Sequence, residues 1–266
     1  MIDELGIVKS IDDVIEQDMD KRHLSVGECV KAMVLNGLGF TGKPLYLTPE
    51  FYKPLPLDIL IKKGITPEQL NDKVLGRAMD KLYENDVSTL FSLISAKAFK
   101  SLNLKPDYGH LDSTSFNVYG KDYTPKPKED DEPATIELTY GFSKDHRPDL
   151  LQFMLNMIVD NKAGIPMFMK PLSGNSSDKT SFIQSIETHI DNLTNTAENK
   201  IVVDSALYSE DNLRSSAFQS LIWVTRVPET IKEAKQQISD SKPEVMRIMN
   251  QTENQNSSLF LSHNPT

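Results

Sequence analysis

Two hydrophobic periodicities divide the chain. Up to about residue 104, apolar residues return every three or four positions, the spacing of one helix face. In "SVGECVKAMVLNGLGF" this puts Val26, Val30, Met33, Val34 and Leu38 together, with Ser25 as N-cap and Gly37 and Gly39 closing the helix. A proline-rich connector follows, "TGKPLYLTPEFYKPLPLDIL". The spacing then predicts one helix over "TPEQLNDKVLGRAMDKLYEND". Thr66 caps it, Pro67 takes the first helical position, Glu68 favours the N-terminal dipole, and Leu70, Val74, Ala78 and Leu82 form the apolar stripe. "DVSTLFSLISAKAFKSL" reads as a further helix.

From about residue 108 the period changes to two. "GHLDSTSFNVYG" alternates like a strand, and "PKPKEDDEP" is a charged, proline-broken loop. "LLQFMLNMIVD" and "PMFMKPLSG" are strand-like runs joined by "NKAGI", the pattern of a hairpin. "SSDKTSFIQSIETHIDNL" is helical, with Phe182, Ile183, Ile186 and Ile190 on one face. A strand ending at Asp204, a helix "SEDNLRSSAF" and a strand "SLIWVTRV" complete the series. Three antiparallel strands followed by strands alternating with helices predict an α+β / α/β architecture: a helical N-terminal domain over 1–104 and an RNase H-like core over 105–240. The tail 241–266 is rich in Asn and Ser and has little apolar periodicity, the pattern of a disordered end.

Composition narrows the class. The chain has 266 residues, 38% hydrophobic, and a formal net charge of −9; its mean hydropathy is −0.39. These values predict a soluble globular protein and argue against a general nucleic-acid coat, which is usually basic. Carboxylate-built active sites add negative charge, so DNA chemistry stays open. The single cysteine, Cys29, permits no internal disulfide and reads as a small helix residue. The acidic N-terminus lacks the basic, then apolar, order of a signal peptide, and no apolar run approaches the ~20 residues of a membrane span.

Two aspartates stand out. Asp112 lies inside the first strand, and "IVVD" ends the fourth strand in Asp204. Ligand sites of open α/β sheets gather at the carboxyl ends of strands, so carboxylates there on neighbouring strands would face each other. Like charges meet only if a cation sits between them, and Mg²⁺ or Mn²⁺ is the hard, oxygen-seeking choice. Two such ions would suit phosphodiester cleavage. Against this, an Asp at a strand end can simply be the N-cap of the helix that follows. Asp112 as an aspartyl nucleophile is a further alternative, although such sites place a second Asp two residues later, where this chain has Thr114.

The stretches "GHLDSTSFNVYG", "TYGFSKDHRPDLLQFMLNMIVDNKAGIPMFMKPLSGNSSD", "IVVDSALYSEDNL" and "LIWVTRVPET", in this order and separation, resemble bacterial insertion-sequence transposases of the DDE type. The resemblance runs from about residue 1 to 235, with "GFSKDHRPDLLQ" and "PLSGNSSD" its most distinctive pair. It implies that Asp112 and Asp204 are the first two catalytic, metal-binding carboxylates. It also implies hydrolysis at transposon ends followed by strand transfer, without a covalent enzyme intermediate. The family's third carboxylate is a Glu in a Tyr-x2-Arg-x3-Glu-x6-Lys signature on a late helix. That signature is absent: the last tyrosine is Tyr208, and Glu229, Glu233 and Glu244 lack its context. The expectation is therefore a copy truncated before the third carboxylate, with an incomplete core and weak or no activity, or a remnant that binds transposon DNA or full-length transposase as an inhibitor. The implied partners are double-stranded DNA, at transposon ends and target, and further copies in a transpososome. The implied place is the bacterial cytoplasm, at the nucleoid.

Other residues suit DNA contact. Lys144, His146 and Arg147 precede a strand in "SKDHRPD", and Arg226 ends the last one. Lys73, Arg77 and Lys81 recur at i, i+4, i+8 on one helix face, although Asp72 and Asp80 are interleaved and a plain solvated face has the same pattern. His110 shares the strand face of Asp112, Trp223 reads as core packing, and Ser176 or Ser177 reads as a helix N-cap.

Overall fold

The computed structural model describes residues 1–38, 44–119, 135–192, 200–214, 222–228 and 230–240. The N-terminal part is helical: α1 (Ile7–Asp12), α2 (Val26–Leu38), α3 (Thr48–Tyr52), α4 (Leu57–Leu60), α5 (Asp72–Glu84) and α6 (Val87–Ser101). The start of α2 is secured donor by donor. Ser25 and Glu28 form a reciprocal capping box, with Glu28 N–H donating to Ser25 Oγ at 3.0 Å and Ser25 N–H to the Glu28 carboxylate at 2.8 Å. Val26 N–H donates to Gln17 Oε1 and Gly27 N–H to Asp12 Oδ1, each at 2.8 Å. Ser25→Ala removes the acceptor of the Glu28 N–H and is expected to cost about 1 kcal/mol, read as a lower denaturation midpoint at unchanged slope.

Two expectations for this half are corrected. Gly37 does not close α2 but lies within its last turn, and Gly39 falls outside the described residues. The helix expected from Thr66 is interrupted. Pro67–Leu70 form a 3-10 turn, Asn71 returns to extended backbone, and α5 begins at Asp72 with Asn71 Oδ1 accepting from Val74 N–H at 3.1 Å. Asn is a stronger cap than an interior helix residue, which explains the break. Leu70 keeps its buried role from the turn, beside Leu75 and Ala78 of α5. The proline-rich connector carries α3 and α4, and Tyr52 of α3 is fully buried with its hydroxyl donating to Ala32 O at 2.8 Å.

The second part is a five-stranded mixed sheet in the order β3-β2-β1-β4-β5. Its strands are β1 (Gly109–Val118), β2 (Leu151–Asp160), β3 (Pro166–Ser173), β4 (Lys200–Val203) and β5 (Ile222–Thr225). β1 to β3 pair antiparallel, whereas β4 and β5 run parallel to β1. The hairpin read in "NKAGI" joins β2 to β3, with Gly164 at φ 64° and Asp160 Oδ2 accepting from Lys162 and Ala163 N–H. Helix α7 (Asp178–Asn192) covers one face, where Leu111, Ile158, Phe168, Phe182, Ile186, Ile201, Val203 and Leu207 form a core. Ser177 contributes the carbonyl that accepts from Ser181 N–H, the N-cap position. Short α8 (Glu210–Leu213) follows β4, and α9 (Lys232–Asp240), not anticipated from the sequence, follows β5. The helical half has its own hydrophobic cluster over residues 11–90, and α6 joins the halves by lying along β3, where Ser95 Oγ donates to Pro166 O at 2.7 Å.

His189 of α7 is buried against Phe168, its ring 5.5 Å from the phenyl ring. Burial pushes its imidazole from 6.5 down to about 4. The unfolded chain therefore binds this proton more readily, so the stability is complete above about pH 6.5 and drains away as pH falls toward 4. Between pH 7 and 5 the loss from this group is about 2 kcal/mol. A His189→Leu variant should lose correspondingly less stability over that interval in paired denaturant titrations.

Candidate active site

β1 alternates strictly. Leu111, Ser113 and Ser115 turn to the α7 side, and His110, Asp112, Thr114 and Phe116 turn to the exposed face. The last parallel rung between β1 and β4 is Leu111–Val203. Asp112 and Asp204 are the next residues on these two neighbouring strands, both exposed and both opposite in facing to the buried Leu111 and Val203. Adjacent strands lie about 4.8 Å apart, so the sheet itself brings the two positions side by side.

Each carboxylate is half committed. Asp112 Oδ1 accepts from Ser113 N–H at 2.7 Å and from Lys144 Nζ at 3.3 Å. Asp204 Oδ1 accepts from Ala206 N–H at 2.8 Å and caps the 3-10 turn Ser205–Leu207, so the capping role anticipated for it is real. The Asp204 carbonyl accepts from Thr225 Oγ1 of β5 at 2.5 Å. In both aspartates Oδ2 accepts no hydrogen bond from a described residue. Among the described residues no group of three or more His, Cys, Asp or Glu side chains is gathered to hold a metal ion. Glu233 is exposed in the first turn of α9, and Glu229 and Glu244 lie outside the described residues.

Lys144 arrives from a strap of chain laid across the end of β1. Ser143 Oγ donates to Asn117 Oδ1, Asn117 Nδ2 to Asp145, and Lys144 N–H to Ser115 Oγ. Its ammonium donates to the Ser113 carbonyl as well as to Asp112. The strap is anchored upstream by an antiparallel bridge, Thr139–Gln152, and by Gly174 N–H donating to Glu137 O. Gln152 is fully buried and donates to Gly174 O at 2.7 Å. The sequence carries no periodic signal for this strap, since its contacts are non-local.

The other anticipated residues divide. Arg147 is engaged: it lies over the Tyr119 ring and forms a bidentate pair with Asp149 at 2.8 and 2.7 Å, and the Asp149 carboxylate raises its pKa further. His146 is exposed at φ 57° in the same strap, and Arg226 is exposed beyond β5. His110 shares the exposed face with Asp112, its ring 5.4 Å from Tyr108. Trp223 packs on the α7-side core, as expected. Phe142, 86% exposed within the strap, was not anticipated.

In the helical half, Arg77 and Lys81 line a cavity together with Lys21 and Arg22, whereas Lys73 lies outside it. The run "DKRH" at residues 20–23 was the available signal for the second pair. Cys29 is buried in the wall of an adjoining cavity, and burial pushes its thiol up to about 11, which disfavours the thiolate.

Residues 1–96 match the family model DUF4277, a domain of unknown function. No curated protein matches the chain significantly. Among solved structures the chain is similar to the piggyBac transposase synaptic complex with hairpin DNA, at 13% identity and a TM-score of 0.37, over 92% of this chain and 51% of that one. The chain thus spans about half the length of that protein. It is also similar to the Mos1 transposase paired-end complex with left transposon end, at 13% identity and a TM-score of 0.26, over 80% of this chain and 72% of that one. Similarities this slight establish neither fold nor function.

Proposed function

We propose that the chain is a DNA transposase of the DDE type, acting on phosphodiester bonds through Asp112 and Asp204. The observation that carries this reading is their position: one step past the last rung of adjacent parallel strands, on one face, each with an Oδ2 that accepts no hydrogen bond from a described residue. The sheet order, with β1 between antiparallel β2 and parallel β4, supports an RNase H-like interpretation of residues 105–240. The donor set fits a hard divalent cation: two carboxylates, with the Lys144 ammonium at 3.3 Å already supplying a positive charge to Asp112. Asp112 and Asp204 would hold Mg²⁺ or Mn²⁺, which when bound activates water and neutralises charge on the phosphate. Ser113 N–H and Ala206 N–H fix the two carboxylates by occupying one oxygen of each. Lys144 balances Asp112 in the free protein and turns to DNA phosphate once that balance is supplied otherwise. His146 and Arg226, both exposed, would contact the DNA backbone. The partners in this reading are transposon-end and target DNA and further copies of the chain, in the bacterial cytoplasm at the nucleoid. No helix among the described residues is long and apolar enough to cross a membrane.

The absence of a third acidic ligand among the described residues favours a second reading, DNA binding without cleavage, as an inhibitor would require. Incubation of supercoiled plasmid with the full chain separates the two. Nicking in Mg²⁺ or Mn²⁺ that stops in EDTA supports the transposase. Retarded but intact plasmid supports the inhibitor, and neither retardation nor nicking overturns both.

A further inference from the structure

We propose that the groove between residues 18–24 and helix α5 is a binding site for the phosphodiester backbone of duplex DNA, held by Arg22 and Arg77. Two adjoining cavities, of about 360 and 510 Å³, share Lys21, Arg22 and Arg77 in their walls. The carboxylates lining them are Glu16, Asp18 and Glu68. Lys21 is balanced by Asp18 at 2.8 Å and Lys81 by Glu84 at 2.6 Å. Hydrogen bonds from its own turn, including that with Thr66, hold the Glu68 carboxyl below its ordinary range, so it stays ionised.

Arg22 and Arg77 differ from these lysines. Neither donates a side-chain hydrogen bond or forms an ion pair with a described residue. Two guanidinium groups facing one groove repel each other, and each carries five donors in a planar fork suited to phosphate oxygens. An anion between them removes the repulsion and uses the donors. The groove extends along α5 from Asn71 past Val74 and Arg77 to Lys81. Ten residues of helix cover about 15 Å. One strand of a duplex carries a charge every ~3.4 Å of axis, so the groove matches about four successive phosphates rather than one free anion. The choice of DNA among polyanions rests on the proposed function; the anion site itself rests on the arginines.

The test is anisotropy of a labelled 30-base-pair duplex with the full chain in EDTA, across a salt series, for wild type, Arg22→Ala/Arg77→Ala, the Lys double variant and Lys73→Ala. The Ala pair should weaken binding at least tenfold and reduce the log K against log salt slope by about 1.8, the value for two lost phosphates. The Lys pair should restore most of the slope, and Lys73→Ala should stay within about twofold of wild type. Both arginines are at least partly exposed, so thermal midpoints should not move. Unchanged affinity in the Ala pair, or an equal loss in Lys73→Ala, overturns the site. So does arginine-dependent binding of pyrophosphate when duplex binding is indifferent to the arginines. Loss of nicking with this pattern intact would instead discard the two-aspartate reading alone.

Discussion

Asp112→Asn is expected to abolish the proposed metal-dependent nicking, by a factor of about 10³ or more, and to leave the fold in place. The two halves of this expectation have separate causes. The side chain is 77% exposed, and its hydrogen bond from Ser113 N–H is to an oxygen that Asn retains. Its pair with Lys144 is a surface one, so stability should change by no more than about 0.5 kcal/mol. Activity is another matter, because Asn has no charge to hold a divalent ion. In the proposed reaction several kcal/mol of charge stabilisation at the phosphate would depend on that ion, and each 1.36 kcal/mol is about tenfold in rate. Asp204→Asn should behave alike, since Asn caps the Ser205–Leu207 turn about as well as Asp. Initial nicking rates read beside denaturant midpoints check both halves. Full activity in either variant would discard the site.

The second large effect is on stability. Gly174→Ala is expected to cost about 3 kcal/mol or more, lowering the thermal midpoint by about 6 °C or more. A Cβ at residue 174 would stand 2.1 Å from the Gln152 carbonyl oxygen and 2.6 Å from that of Thr139. Both obstacles are backbone, so no rotamer change relieves them. Pushing the chains apart also strands the buried Gln152 amide, which donates to Gly174 O. Gly141→Ala meets the reciprocal obstacle, Gly174 O at 2.1 Å, and should cost a similar amount. Gly164→Ala, at φ 64° but with open space around it, should cost only about 1 kcal/mol. The 135–150 strap is seated on this glycine crossing, so Gly174→Ala should also release Lys144 from Asp112.

What could be read in advance was what repeats locally. The alternation of "GHLDSTSF" placed Asp112 on a strand, with the exposed face now seen for residues 110, 112, 114 and 116. The apolar run into Asp204 and the "NKAGI" hairpin were legible for the same reason, as was Ser25 at the head of α2. Local competition misled the reading at Thr66, where Pro67 and Asn71 build a turn and a second start in place of one helix. Helix α9 went unread because its exposed, polar face offers no apolar stripe. The strap that delivers Lys144 depends on Ser115, Asn117, Gln152 and Gly174, residues far apart in sequence whose meeting no periodicity announces. The meeting of Arg22 with Arg77 is of the same kind. Arg147, by contrast, had its partner two residues away in Asp149, and that pairing was open to view.

The central claim is that Asp112 and Asp204 hold one cation between them, and Mn²⁺ binding followed by electron paramagnetic resonance tests it most directly. Wild type should take up Mn²⁺, each single Asn variant should weaken that binding at least tenfold, and the double variant should be little worse than either. Unchanged Mn²⁺ affinity in Asp204→Asn, or losses from the two positions that simply multiply as for separate ions, would contradict it.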